Sequence, residues 1–519
     1  MTHQFSQAPR ADIARSTFDR SHGYKTTFDA ANLVPIFVDE ALPGDTFNLK
    51  ANFFARLNTP IVPILDNLFF ETFFFEVPVR QVWDNWAKFN GEQDNPGDST
   101  DFLIPTQTSP SGGYAEESLQ DYMGIPPGIA DIEHSALFMR ASNHIWNEWF
   151  RDQNLQPSIV VDRDDGPDDP ADYILQQRGK RHDYFSSALP WPQKSDAGSV
   201  QIPLGGSAPV TSDAAIDPAQ FVNVHSTVAG DQHRLQADGS YAFLATTGGQ
   251  PLGNQLYADL SEATAATINQ LRQSIAVQRL FEKDARGGTR YIEVIKNHWN
   301  VTSPDLRLQR PGYLGGGSSM VNISPVAQTM ASASDVQTQA TPQGNLAAVG
   351  TVNAQNHGFT KSFSEHTIII GYCVVRADLT YQQGLNRMWS RQTRFDHYWP
   401  ELSTIGEQSL PQKEIFISGV PAEDEVIFGY QERFAEYRYK PSLITGKMRS
   451  SSPTSLDVWH LSQDFANAPV LGDQFIRENP PIDRVIATPD EPQFKLDSYF
   501  SLKCARAMPM YGIPGLDKL

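Results

Sequence analysis

The segment NLFFETFFFEVPV (67–79) packs Leu68, Phe69, Phe70, Phe73, Phe74, Phe75 and Val77 into one short run. Apolar residues on a surface helix recur every three to four positions, and these do not. The run reads as a β-strand buried on both faces. Working outward, LVPIFVDEAL (33–42) ends at the turn Pro43-Gly44-Asp45. DTFNLKANFFARL (45–57) then partly alternates apolar Phe47, Leu49 and Phe53 with polar residues. Three such strands spaced by turns predict a sandwich or jelly roll. Near the other end, HTIIIGYCVVRADLTY (366–381) and EVIFGYQERFAEYRYKP (425–441) are also strand-like. β-rich ends flanking a mixed middle predict one domain, because a sheet fed from both ends does not divide.

Helical signals are fewer. VWDNWAKF (82–89) is a short candidate. In SALFMRASNHIWNEWFRD (135–152) and just beyond it, Leu137, Phe138, Ala141, Ile145, Trp149 and Leu155 trace a helical stripe. SEATAATINQLRQSIAVQRLFEKDAR (261–286) is the strongest, with Ser261 as cap and Gly287-Gly288 as stop. Two stretches read as long insertions. Residues 195–255 carry five Asp, one Arg (Arg234) and no Lys, which suits an outward surface better than a DNA contact. Residues 315–358 contain one charged residue, Asp335, and read as a low-complexity loop. Both would equally suit flexible linkers.

The chain has 519 residues and a net charge of −19. That charge argues against wrapping nucleic acid unaided, since phosphate binding needs clustered cations. The charged fraction is 19%, below the ~25% usual for soluble domains, and 11% is aromatic. Such a composition fits either an assembling subunit or a large β core. The two cysteines, Cys373 and Cys504, make no disulfide framework and fit a reducing compartment. The first twenty residues have no apolar h-region, so no signal peptide is expected. No run of 18 apolar residues predicts a membrane span. Residues 1–25 read as a basic arm, with Arg10, Arg15, Arg20 and Lys25 at five-residue intervals.

Several segments resemble the major capsid proteins of gokushoviruses, a branch of the microviruses, which are single-stranded-DNA bacteriophages. They are RSTFDRSHGYKTTFDAANLVPIFVDEALPGDTFNL (15–49), VWDNWAKFNGEQ (82–93), YLGGGSSMVNISPVAQT (313–329), HGFTKSFSEH (357–366), YQQGLNRMWSRQTRFDHYWPELSTIGEQ (381–408), FGYQERFAEYRYKPSLITGKMRS (428–450), NPPIDRVIA (479–487) and LKCARAMPMYGIPGL (502–516). They run in order along nearly the whole chain, with little likeness in 195–255 and 331–356. The resemblance implies a mainly β fold: an eight-stranded antiparallel jelly roll with long loop insertions and a few α-helices. It implies a structural protein, not an enzyme, with no cofactor. Sixty copies would form a T=1 icosahedral shell around circular single-stranded DNA, located in the virion and assembled in the bacterial cytoplasm. Implied partners are a small basic DNA-packing protein, an internal scaffolding protein, a DNA pilot protein and a host cell-surface receptor. The family's protrusion near the three-fold axis is assigned by position and composition to 195–255, with residues 26–519 as a single capsid domain.

Sixty acidic subunits would repel a genome unless the inner face, or a separate protein, is basic. The basic stretches are the arm (Arg10, Arg15, Arg20, Lys25), then Arg433, Arg438, Lys440, Lys447 and Arg449, then Lys503 and Arg506. Tyr437 and other aromatics interleave the second group, as base stacking would require. A strand with charges on one face and aromatic packing on the other accounts for the pattern equally. Arg387, Arg391 and Arg394, with Trp389 and Trp399, are candidates for subunit interfaces.

Enzyme motifs are missing: the sequence has no GxSxG, HExxH, P-loop or CxxC. His144 and Glu148 are four apart on a helix, too few for a metal site, and read as a surface pair. Asp162, Asp164, Asp165, Asp168 and Asp169 form a weak calcium candidate whose spacing fails the helix–loop–helix pattern. No metal is expected, and a solvated acidic loop is the plainer reading. The rival readings are a carbohydrate-binding sandwich or glycosidase, which needs two carboxylates roughly 5–9 Å apart, and the shell protein of another jelly-roll virus.

Overall fold

A computed structural model describes residues 14–192, 223–225, 232–238, 241–245, 268–288, 309–331 and 343–511, with single positions at 194, 293 and 296–298. The chain divides into two compact units, Met1–Pro192 with Thr289–Leu519, and Gln193–Gly288. The expected insertion at 195–255 thus belongs to a wider unit of its own. Its described parts are a three-stranded antiparallel sheet (223–225, 232–238, 241–245) and the helix Ile268–Gly287. The proposed cap Ser261 lies outside the described residues.

The larger unit is built on ten strands: β1 (Ser16–Asp19), β2 (His22–Phe28), β3 (Val34–Ala41), β4 (Thr46–Leu57), β5 (Leu68–Pro78), β6 (Gly312–Met320), β7 (Asn322–Ala327), β8 (Leu346–Ser362), β9 (Thr367–Ala377) and β10 (Phe494–Arg506). One sheet has the order β2-β10-β4-β8-β7, with β1 pairing β10 beyond β2. The other has the order β6-β5-β9-β3. All pairings in both are antiparallel. β1 and β2 pair successive halves of one edge of β10, so they act as a single interrupted strand. With those two merged and the short β7 set aside, the strands interleave as in a jelly roll.

The sheets face each other across an aromatic core. Phe53 meets Phe70, Phe37 meets Phe500 and Phe74 meets Phe359, with ring centroids 5.3–5.7 Å apart. Phe28, Phe47, Phe53, Phe70 and Phe74 are almost wholly buried, each contributing about 2–3 kcal/mol of transfer free energy. The four-stranded sheet is covered on its far side too. There Phe75, Val77 and Trp83 pack with Leu137, Ala141 and Ile145 of helix α1 (Leu137–Ile145), which continues as a π-helical turn, Trp146–Phe150. Burial on both sides is why the 67–79 run does not alternate and why every residue of β9 is buried.

Two sequence expectations change. The stretch 315–358, read as a low-complexity loop, supplies most of β6, β7 and β8. Its glycines serve close approach: a Cβ on Gly316 would stand 2.0 Å from the Thr72 carbonyl oxygen, and one on Gly358 2.1 Å from that of Leu49. The basic arm is also shorter than 1–25, because residues 16–19 and 22–28 are sheet edge. Both cysteines are free and buried in the core, Cys373 on β9 and Cys504 on β10.

Candidate functional site

The segment 386–405 carries little regular structure, and capped 3-10 turns hold its shape. Asn386 accepts a hydrogen bond from the Met388 amide at 3.0 Å, and Asp396 accepts from the Thr393 amide at 2.7 Å. Pro400 opens a third turn. Beneath lies an antiparallel ribbon of Glu407–Pro411 and Ile427–Glu432, seated on a core of Tyr184, Phe185, Leu410, Ile415 and Phe428.

Two arginines of this segment, Arg387 and Arg391, turn inward, while Arg394 is exposed. Arg387 donates to the Ser409 carbonyl at 3.1 Å and pairs with Glu414 at 3.4 Å. Arg391 pairs with Glu436 at 3.5 Å and lies 4.3 Å over the Tyr437 ring. Arg433 donates to the Phe395 carbonyl at 3.0 Å, and Arg394 lies 4.6 Å over the Phe395 ring. Arg387 and Arg391, expected to meet another subunit, therefore find partners within the chain. The apolar side chains face outward instead. Trp389 is 71% exposed, Ile405 67% and Phe395 53%, with Met388, Tyr398 and Trp399 close behind. Trp399 keeps its indole N–H bonded to the Arg394 carbonyl at 2.8 Å. Sequence reasoning singled out Trp389 and Trp399 but not Met388, Phe395, Tyr398 or Ile405. Their only signal was aromatic density without periodicity, which the doubly covered strand β5 shares, so the sequence alone does not separate the two. Large apolar side chains left exposed close together in sequence mark a candidate interaction surface.

Most cations expected at DNA are tied up locally. Arg15 donates to the Gly44 carbonyl and to Thr46 Oγ1 at 3.1 Å. Arg20 pairs with Asp39 at 2.6 Å, Lys25 with Asp497 at 2.8 Å and Arg506 with Asp45 at 3.0 Å. Arg438 pairs with Glu432, and Arg449 donates to the Ile444 carbonyl at 3.3 Å. Lys440, Lys447 and Lys503 are exposed. Tyr437 is half-exposed, covered on one side by Arg391. Arg10 lies outside the described residues.

The acidic loop is solvated only in part: Asp164, Asp165 and Asp169 are exposed, but Asp168 is not. Asp168 is buried in a two-pronged pair with Arg140, at 2.8 and 2.5 Å, and accepts from the Tyr173 hydroxyl at 2.6 Å. Asp165 accepts from the Trp83 indole at 2.7 Å, Asp162 from Tyr173 at 3.1 Å and Asp169 from the Ala171 amide at 2.9 Å. Asp164 accepts from the Gly166 amide at 3.0 Å. The five carboxylates are spread over protein donors, and no metal-holding group of side chains occurs among the described residues. His144 is buried rather than on the surface, and burial with the charge of Arg163 pushes it down to about 4.

Glu414, under the exposed segment, is pushed up to about 7 by burial, which outweighs Arg387 and the Tyr184 hydroxyl. Glu478, which accepts from the Ala377 amide at 2.9 Å, is raised to about 7 for the same reason. A raised carboxyl pKa means the folded state holds the proton more tightly than the unfolded chain. This stabilisation is complete below about pH 4.5 and lost as pH rises through 7. Each group accounts for up to about 3 kcal/mol. Unfolding temperature compared between pH 5.5 and 8 should fall less steeply in Glu414→Gln and Glu478→Gln than in the parent. An identical slope in all three would refute the assignment.

Residues 6–516 match the family model described as capsid protein (F protein). The chain is 49% identical to capsid protein VP1 of Bdellovibrio phage phiMH2K, covering 99% of this chain and 97% of that one. It is 42% identical to capsid protein VP1 of Chlamydia phage 1, with 100% and 98% covered. To capsid protein VP1 of Spiroplasma virus 4 it is 36% identical, again with 100% and 98% covered.

Proposed function

This chain belongs to the phage capsid protein (F protein) family, and from that membership we propose that sixty copies form a T=1 shell around a circular single-stranded DNA genome. The observation that carries the reading is the match from residue 6 to residue 516, which includes both sheets and the exposed 386–405 segment. Capsid proteins are structural and act in the virion, so the glycosidase reading is set aside. The apolar belt of Met388, Trp389, Phe395, Tyr398, Trp399 and Ile405 is then the contact with a neighbouring subunit. Arg387 and Arg391 shape that contact from beneath, and the exposed Arg394 stands beside Phe395 within it.

The finer parts of the proposal follow from charge. At −19 per chain, a shell needs cations from elsewhere, which a small basic DNA-packing protein would supply. Of the cations expected at DNA, Lys440, Lys447 and Lys503 are the best placed to take part. An internal scaffolding protein, a DNA pilot protein and assembly in the host cytoplasm complete the proposed life of the subunit. The lysine-free stretch 195–255 is the proposed outward protrusion near the three-fold axis and the contact with a host cell-surface receptor.

Electron cryo-microscopy of particles sedimented from an infected lysate tests the reading. Closed shells of sixty subunits, with the 195–255 stretch at the outer surface, are expected. A chain that stays a slowly sedimenting monomer in that lysate would overturn it.

A further inference from the structure

We propose that the solvent-facing side of the six-stranded sheet is the surface on which the single-stranded DNA lies. This rests on the reading of the chain as a genome-enclosing subunit and adds the face, the residues and the mode of contact. Strand β4 alternates without a break, turning Asn48, Lys50, Asn52, Phe54 and Arg56 to solvent. Its neighbour β10 is in register, with Lys503 beside Asn48, Ser501 beside Lys50, Tyr499 beside Asn52, Asp497 beside Phe54 and Lys495 beside Arg56. Directly opposed residues share a face. Lys25 and Thr27 of β2 extend the rows on one side, and Thr351 and Asn353 of β8 on the other.

The charge of this face runs against the composition of the chain. Five cations stand on it: Lys25, Lys50, Arg56, Lys495 and Lys503. Against them are Asp497, paired with Lys25 at 2.8 Å, Asp19 opposite Lys503, whose carboxylate already accepts from the Ser21 amide and hydroxyl, and Glu117, which accepts from the Thr27 hydroxyl at 2.8 Å. Glu491 at the margin reaches Lys495 at 3.3 Å. Most of the remaining outward positions are Asn, Gln, Ser or Thr, which can donate to and accept from base edges. Phe54 is 42% exposed and Tyr499 53% exposed, in the middle of this polar surface. The Arg56 guanidinium lies 5.4 Å over the Phe54 ring. Cations that track a backbone, with exposed rings among them, are the two elements of sequence-tolerant single-strand binding. Same-face residues along a strand are about 7 Å apart, so successive side chains can meet successive parts of an extended strand. The 433–449 segment is a weaker candidate, since Glu432 neutralises Arg438 and the Phe395 carbonyl takes Arg433.

Two measurements test the proposal. Intact particles from infected cells are irradiated with ultraviolet light, and nucleotide–peptide adducts are mapped by mass spectrometry. Adducts on the peptides holding Phe54 and Tyr499 are expected. The purified full chain is also titrated with a fluorescent twenty-base oligothymidylate over a range of salt. Replacing Lys50, Arg56 and Lys503 together with Gln should lower the slope of log affinity against log salt by about 2. Tyr499→Ala should weaken binding roughly tenfold at every salt concentration. All four positions face solvent or lie at the surface, so the fold is retained. DNA-filled particles with adducts confined to 433–449, or an unchanged slope in the triple variant, would sink this face while leaving genome enclosure standing. Particles without nucleic acid would overturn the genome-enclosing reading itself.

Discussion

Arg140→Ala should destabilise the larger unit by about 3–5 kcal/mol. Arg140 is fully buried on α1, and its guanidinium spends every donor. It binds both oxygens of Asp168, the carbonyls of Val82 and Asp164, and the Asp164 carboxylate at 3.3 Å. Truncation leaves the Asp168 carboxylate, itself 1% exposed, with only the Tyr173 hydroxyl as partner. An uncompensated buried charge is what makes breaking such a pair so costly. Lysine keeps the charge but not the two-pronged geometry, so Arg140→Lys should recover only part of the loss. Arg140→Met combined with Asp168→Leu removes both charges and should be milder than Arg140→Ala. Chemical unfolding of the three variants decides this. A midpoint for Arg140→Ala within about 1 kcal/mol of the parent would show that the pair does not hold the loop.

This pair also marks what the sequence did not reveal. Five aspartates between 162 and 169 suggested solvent or calcium, because the cation that meets them sits more than twenty residues upstream in a helix. Only the fold brings Arg140 to Asp168. The same holds for Arg376, read as part of a strand, which is buried beside Glu71 at 2.8 Å, while Arg178 and the exposed Arg181 reach the same carboxylate. The strands themselves were legible. The 67–79 run pointed to the doubly covered sheet because a strand with water on one face alternates apolar and polar residues, and it does not; HTIIIGYC was legible as strand. The glycine run at 315–317 misled, since close backbone approach and loop flexibility favour the same residue. In 386–405 the opposite ambiguity held: arginines and tryptophans were both visible, but only the capped turns decide which face inward. The DNA candidates were chosen by local clustering of cations. The sheet face is assembled from β2, β4, β8 and β10, which lie far apart in sequence, so no window along the chain could have shown it.

Trp389→Ala should leave the subunit folded and block shell assembly. The side chain is 71% exposed and contributes nothing to the core, so loss of stability is expected to stay within about 0.5 kcal/mol. At an interface the same ring is a typical anchor, worth about 2 kcal/mol or more when truncated. In a shell every copy makes the contact, so the loss recurs at each subunit. Even one such loss raises the concentration needed for association about thirtyfold. Trp83 supplies the contrast, being wholly buried and bonded to Asp165; its removal should unfold the subunit before assembly is reached. Trp399→Ala should fall between the two, because its indole N–H also steadies the turn at Arg394. Sedimentation of each variant beside its unfolding curve separates these cases. A Trp389→Ala chain that closes shells at the parental concentration would place the subunit contact elsewhere. The outward turn of six apolar side chains over an inward layer of paired arginines would then need a different partner. A folded chain that stays monomeric would instead show that the Trp389 ring closes the contact between subunits.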